Sequence, residues 1–141
     1  LTPQYQGLPK SDGLLPYWFL LTSSLGVFNS AQNYYTSNLS RRLYGHSPES
    51  VTGLSNRLGA AWTFTSALIR FYAAYHSDNK AVYDLAIGTY LIAFFHFSTE
   101  FYVYRTLKMF PGGIYPIVVA SLGLAWMWSQ YDFYVGSPNL V

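Results

Sequence analysis

Cysteine is absent from the 141 residues, which excludes a disulfide framework, thiolate chemistry and a cysteine-bearing metal site. Charge is scarce. Eight basic and six acidic side chains make up 10% of the chain, against about 25% in an ordinary soluble domain. A soluble surface with so few charges would be poorly solvated. The net charge of +2 is small and unclustered, which argues against nucleic acid as a partner. Histidine occurs only at positions 46, 76 and 96, too scattered for a metal site. No HxxxH or HxxHH box is present, which argues against a di-iron membrane oxygenase. No short basic-then-apolar start with a small-residue cleavage site is present either, so no signal peptide is expected.

What the chain has instead is aromatic residues and long uncharged runs. Tyr, Phe and Trp make up 20% of it. Four stretches carry no charge: Gly13 to Ser40, Leu58 to Ile69, Leu85 to Thr99 and Met109 to Tyr131. A helix rises about 1.5 Å per residue, so crossing ~30 Å of hydrocarbon takes roughly 20 residues. The first and last stretches are long enough alone; the middle two reach that length only if Arg70 and Glu100 lie inside the membrane. The mean hydropathy of +0.15 is low for such a protein, depressed by Tyr, Ser and Asn.

The expected fold is all-α: a polytopic membrane protein with four transmembrane helices in a compact bundle. Residues 1–141 form a single domain, with an irregular lead over 1–13 and a short tail over 132–141. The first helix is expected from Pro16 to Tyr35, since proline suits a first helical turn. Its Ser23, Gly26, Ser30 and Asn33 share one face, which favours close helix packing in a membrane. The second is expected from Asn56 to Tyr75, capped by Ser55, with Gly59, Thr63 and Ala67 as a second small-residue stripe. The third should run from Lys80 to Leu107, capped by Ser77 or Asp78 and ended by Pro111, Gly112 and Gly113. The fourth should run from Tyr115 to Tyr131, with Pro116 in its first turn. Arg41, Arg42 and Arg57 fall in the first connection and Arg105 and Lys108 in the third. The positive-inside tendency puts both connections in the cytoplasm and both termini in the lumen.

Arg70 is the most unusual residue, because an Arg at the centre of a membrane helix needs a partner. Glu100 is the one acid in the third helix's apolar run, with His96 a turn before it and Tyr104 a turn after. The favoured reading is an Arg70–Glu100 ion pair holding the second and third helices. The alternative is an intramembrane acid–base site facing a lipid. Tyr104 and Lys108 form a YxxxK pattern, but the glycine fingerprint and βαβ frame of a short-chain dehydrogenase are missing. Asn38-Leu39-Ser40 matches a glycosylation sequon, too near the first helix to be used. Trp62, Phe71, Tyr72, Tyr75, Phe101, Tyr102, Trp126, Trp128 and Tyr131 could line a flat apolar slot, or serve as interfacial belts and packing. No cofactor is expected.

The segments VFNSAQNYY, WTFTSALIRFYAAY, AFFHFSTEFYVYRTLK and PIVVASLGLAWMWSQYDFYVG resemble the ergosterol biosynthetic scaffold protein family from Leu15 to Gly136. The resemblance implies a non-enzymatic, multi-pass protein of the endoplasmic-reticulum membrane. It implies tethering of the sterol C-4 methyl oxidase, the C-4 decarboxylating 3β-hydroxysteroid dehydrogenase and the 3-keto sterol reductase. Contact with the sterol C-24 methyltransferase is also implied, as is contact with membrane lipid. The family has no catalytic motif to carry over. Its characteristic positions here are Asn29, Arg57, Trp62, Arg70, His96, Glu100 and Arg105, expected as fold or docking residues. The competing functions are a membrane-embedded sterol isomerase-like enzyme using Glu100 or His96, and a sterol-binding module.

Overall fold

The computed structural model describes residues 7–9 and 13–136, so the rest of the expected lead and tail lies outside the described residues. Among the described residues every regular element is helical. Four long helices account for most of them: α1 (Leu15–Tyr35), α3 (Gly53–Tyr75), α4 (Lys80–Tyr102) and α5 (Ile114–Ser129). Two short ones, α2 (Asn38–Leu43) and α6 (Tyr131–Val135), follow α1 and α5. A kinked turn over Met109–Gly113, with Phe110 in extended backbone (φ −119°, ψ 138°), leads into α5.

Two of the four expected membrane spans stand out on both length and hydropathy. They are Lys80–Tyr102 and the segment Met109–Ser129, which joins the kinked turn to α5. The other two, α1 and α3, have 21 and 23 residues, long enough to cross. They fall short on hydropathy because Ser, Thr and Asn occupy their packing faces, and α3 also carries Arg57 and Arg70.

Those packing faces explain the pairing of helices. Helices α1 and α3 pack along most of their length. At their crossing, a Cβ on Gly26 would sit 3.1 Å from the Ala67 Cβ, so glycine permits the close approach. Ser23 adds a hydrogen bond of 2.7 Å from its hydroxyl to the Ala67 carbonyl. Between α4 and α5 the approach is tighter. A Cβ on Gly123 would lie 2.7 Å from the ring of Tyr90, closer than real Cβ atoms approach.

The core sits at the end holding the α3–α4 turn. Leu15, Phe19, Ala73, Ala74, Tyr83, Ala86, Tyr90 and Met127 are fully buried there. Each aromatic hydroxyl in this layer has a partner. Tyr83 donates to the Met127 carbonyl at 2.7 Å, and Tyr90 bonds Thr22 at 2.7 Å. Tyr134 of α6 accepts the Leu15 amide at 3.0 Å, satisfying one of the free N–H groups at the start of α1.

Some boundaries differ from the sequence reading. Helix α3 starts earlier than Asn56, at Gly53. Thr52 is its cap, and Ser55 answers from inside the first turn in a reciprocal capping box. Asn79 caps α4, accepting the Val82 amide, in place of Ser77 or Asp78. Helix α4 ends at Tyr102, short of Leu107. There Arg105 takes a left-handed backbone (φ 57°), and the amides of Thr106 and Leu107 both turn back to the Glu100 carbonyl. This turn buries Leu107. Part of the expected tail is helical, as α6.

The two longer connections meet at one end. His46 donates its amide to Thr106 O at 3.2 Å, and Lys108 donates to Leu43 O at 2.9 Å. Arg41, Arg42, Arg57, Arg105 and Lys108 therefore gather at that end. At the other, Lys80 pairs with Asp84 at 2.6 Å, and Tyr131 donates to Asp84 at 2.8 Å. The Asp84 carboxylate raises the Tyr131 phenol above its ordinary pKa.

The outer surface is inverted relative to a soluble bundle. Thr22, Ser23, Ser30, Asn56, Ser66 and Thr89 are buried. Leu21, Phe28, Leu58, Phe64, Leu91, Phe95 and Leu122 are exposed. Burying small polar residues and exposing large apolar ones suits a surrounding of lipid, where the hydrophobic effect no longer drives helices together.

Candidate functional site

Above the aromatic layer the bundle is hollow. A cavity of about 540 Å³ opens between α1, α3, α4 and α5, bounded on one side by α2 and the 109–113 turn. Its walls are mostly apolar, with Trp62, Phe97, Tyr115 and Val119 among them. Among the described residues its charged lining side chains are Arg42 and Arg70, and no acid lines it. A second cavity of about 310 Å³ lies toward the cationic end, lined by Asn56, Tyr44, His96, Glu100 and Thr106. Asn29, Leu43, Trp62, Thr63 and Phe97 border both.

Arg70 reaches the larger cavity from the last turns of α3. Its Nε donates to the Thr89 hydroxyl at 3.0 Å. Thr89 in turn donates to the Ala86 carbonyl at 2.7 Å, leaving its lone pair for Arg70. The guanidinium lies over the Tyr90 ring, 3.9 Å from its centroid. Two contacts from α4 thus fix the plane of the charge.

The expected Arg70–Glu100 pair does not form. The ion pair among the described residues is Lys80–Asp84. The reason is register. Helices α3 and α4 run antiparallel from a tight turn, so Arg70 meets Thr89 while Trp62 meets His96 and Phe97. Glu100 lies eleven residues beyond Thr89, roughly 17 Å along the helix axis. It instead accepts a hydrogen bond from the Thr106 hydroxyl.

The smaller cavity is built around hydrogen bonds. His96 Nε2 and the Tyr44 hydroxyl are 2.7 Å apart, and the Trp62 ring meets the imidazole edge-on at 5.2 Å. Burial, with a smaller contribution from Glu100, pushes the Tyr44 phenol above its usual pKa, so it stays protonated. Beside it, Asn56 ties α3 to the end of α1: its amide donates to the Thr36 carbonyl at 2.9 Å and also to Asn33 O. Ser40 donates to Asn56 Oδ1, and Asn33 donates to Asn29 Oδ1.

Of the residues singled out from the sequence, Asn29, Trp62, Arg70, His96 and Glu100 come together around the two cavities. Arg57 and Arg105 do not; both are exposed at the cationic end. Sequence reasoning missed Tyr44, Thr89, Ser40 and Asn56 as cavity or network residues. A signal for Thr89 was available: an antiparallel hairpin turning near residue 78 brings Arg70 opposite it. Tyr44 lies in a connection whose path no periodicity predicts. Among the described residues no group of His, Asp and Glu could hold a metal ion.

Comparison with known proteins adds a consistent picture. The family model described as Erg28 like protein matches residues 15–125. Ergosterol biosynthetic protein 28 of Candida albicans is 42% identical over 91% of this chain and 94% of its own length. The protein of the same name from Saccharomyces cerevisiae is 39% identical over 92% of this chain and 86% of its own. The human homolog of ergosterol biosynthetic protein 28 is 32% identical over 81% and 82%. No solved structure matches the chain.

Proposed function

Because the chain belongs to the Erg28 like protein family, we propose that it acts in ergosterol biosynthesis as a non-catalytic scaffold in the endoplasmic-reticulum membrane. All four long helices span the bilayer, and the whole chain is one membrane domain. The scaffold holds the sterol C-4 methyl oxidase, the C-4 decarboxylating 3β-hydroxysteroid dehydrogenase and the 3-keto sterol reductase together, with the sterol C-24 methyltransferase as a further contact. The carrying observation is the inverted surface: large apolar side chains on the outside of every long helix, available to lipid and to neighbouring membrane proteins. Sterol intermediates stay in the bilayer, so keeping successive enzymes adjacent raises their effective concentration for one another without new chemistry. The cationic end is cytoplasmic on this reading. Arg57 and Arg105, exposed there, are docking candidates.

Loss of the protein should then make C-4 methylated, carboxylated and ketone intermediates accumulate together. Each enzyme should remain active when assayed separately. Build-up of one substrate alone, with the enzymes still associated, would refute tethering. A reporter placed at His46 or Pro111 should be cytoplasmic; a lumenal His46 reporter would reverse the orientation.

A second reading, a sterol isomerase-like enzyme, draws on His96 and Glu100 lining one cavity a helical turn apart. Both are already engaged, by Tyr44 and Thr106, which favours a structural role. Turnover of sterols by the purified protein alone would put this reading ahead of the scaffold.

A further inference from the structure

The larger cavity has an unbalanced charge. Its walls are mostly apolar, Arg42 and Arg70 line it, and among the described residues no carboxylate does. A guanidinium is not deprotonated in proteins, and a charge within an apolar helix run is costly without a countercharge. Thr89 takes the Nε hydrogen and Tyr90 covers one face, but neither carries a negative charge. Among the described residues no Asp or Glu lies within ion-pair distance of Arg70. The contacts that fix the guanidinium plane leave its terminal nitrogens to meet an anion, and a planar fork matches a carboxylate in two parallel hydrogen bonds.

Volume and wall chemistry narrow the class. About 540 Å³ lies within the range of small-molecule sites, roughly 300–1,000 Å³. Trp62, Phe97, Tyr115 and Val119 offer broad apolar faces to a flat, rigid body. The geometry points to one ligand: a sterol bearing a single carboxylate on its ring system, its anion on Arg70 and its rings against the apolar walls. This deepens the proposed role and rests on it. Oxidative removal of a C-4 methyl passes through a C-4 carboxylic acid. That acid is the product of one tethered enzyme and the substrate of the next. A scaffold that binds it would keep an anionic intermediate from leaving the assembly between steps.

The test uses the full chain in lipid nanodiscs and a tritiated 4-carboxysterol as probe. The competitors are the matching 4-methyl sterol, oleate and phosphatidylserine. The expected result is one site per chain and a preference for the carboxysterol over the methyl sterol of at least about tenfold, the worth of hydrogen bonds to a charged group. Arg70→Gln should remove that preference while leaving methyl-sterol affinity in place, and Arg70→Lys should keep part of it. Ala93→Trp, which fills the cavity from α4 while keeping both arginines, should abolish binding of both sterols. Equal affinity for the two sterols, or full binding by the Ala93→Trp protein, overturns the proposal. Equal displacement by oleate or phosphatidylserine overturns the sterol class, making the cavity a general lipid-anion site. The wild-type competition and Ala93→Trp decide the matter even if Arg70→Gln fails to fold. Co-purification of the three C-4 enzymes, measured on the same preparations, separates the two claims. Enzymes retained without carboxysterol binding would sink the cavity proposal and leave the scaffold. Binding without the enzymes would do the reverse.

Discussion

The two ends of this bundle solve the same packing problem in opposite ways. Near the α3–α4 turn, Phe19, Tyr83, Tyr90 and Met127 fill the interior, and the tyrosine hydroxyls are each bonded at 2.7 Å. Toward the cationic end the same helices leave two cavities between them. They are joined there by Asn56, Ser40, Asn33 and the Tyr44–His96 bond. Aromatic rings buried with satisfied hydroxyls make a dry, specified core. Small polar residues at helix crossings bring backbones together but leave gaps where the side chains are short. The lesson is that one end carries the stability and the other the space in which something can bind.

The sharpest way to break that contrast is to empty the core. Phe19 is fully buried, stacked on Tyr90 and edge-on to Tyr83. Phe19→Ala should lower the unfolding free energy by about 3–5 kcal/mol, read by thermal unfolding in detergent. At the other end, Asn56→Leu strands the Asn33 and Thr36 carbonyls and removes the main acceptor of the Ser40 hydroxyl. It should cost about 1–3 kcal/mol, less than Phe19→Ala. If Asn56→Leu proves the more damaging, the polar network carries the fold and the comparison is inverted.

A smaller effect tests the register. Arg70 and Glu100 line different cavities and share no partner. Arg70→Ala and Glu100→Ala should therefore add within about 0.5 kcal/mol in a double-mutant cycle. The charge-swapped pair, Arg70→Glu with Glu100→Arg, should restore nothing. A coupling well above that would mean the two residues pair after all. Smallest is the exposed Lys80–Asp84 bridge, an i,i+4 pair at the helix start. Lys80→Gln should leave the unfolding midpoint unchanged; a clear drop would show that the turn end depends on charge as well as on aromatic packing.

Much of this architecture was legible beforehand, for local reasons. The starts of α1 and α4 and the ends of α1 and α3 follow from proline, polar caps and the length of each uncharged run. The stripe of Ser23, Gly26 and Ser30 was read as a packing face and is buried as one. The end of α4 was not legible, because a left-handed Arg105 answers to the burial of Leu107 and to the bonds back to Glu100, not to helix propensity. The Arg70–Glu100 pairing failed because each was judged as an isolated charge in an apolar run, without the register that an antiparallel hairpin imposes.

Sequence alone therefore determined that the chain is helical, poor in charge and apolar enough to favour a membrane, since composition and helical periodicity are properties of each segment by itself. It also determined the family, whose segments recur in order along nearly the whole chain. Only the tertiary structure decided which residues share a cavity. Trp62 borders both hollows, Tyr44 folds back onto His96, and Arg70 stands on an apolar wall with Thr89 and Tyr90 as its neighbours. Those juxtapositions depend on helix register and on the path of the connections, which arise from contacts between segments far apart in the chain and leave no mark in the periodicity of any one of them.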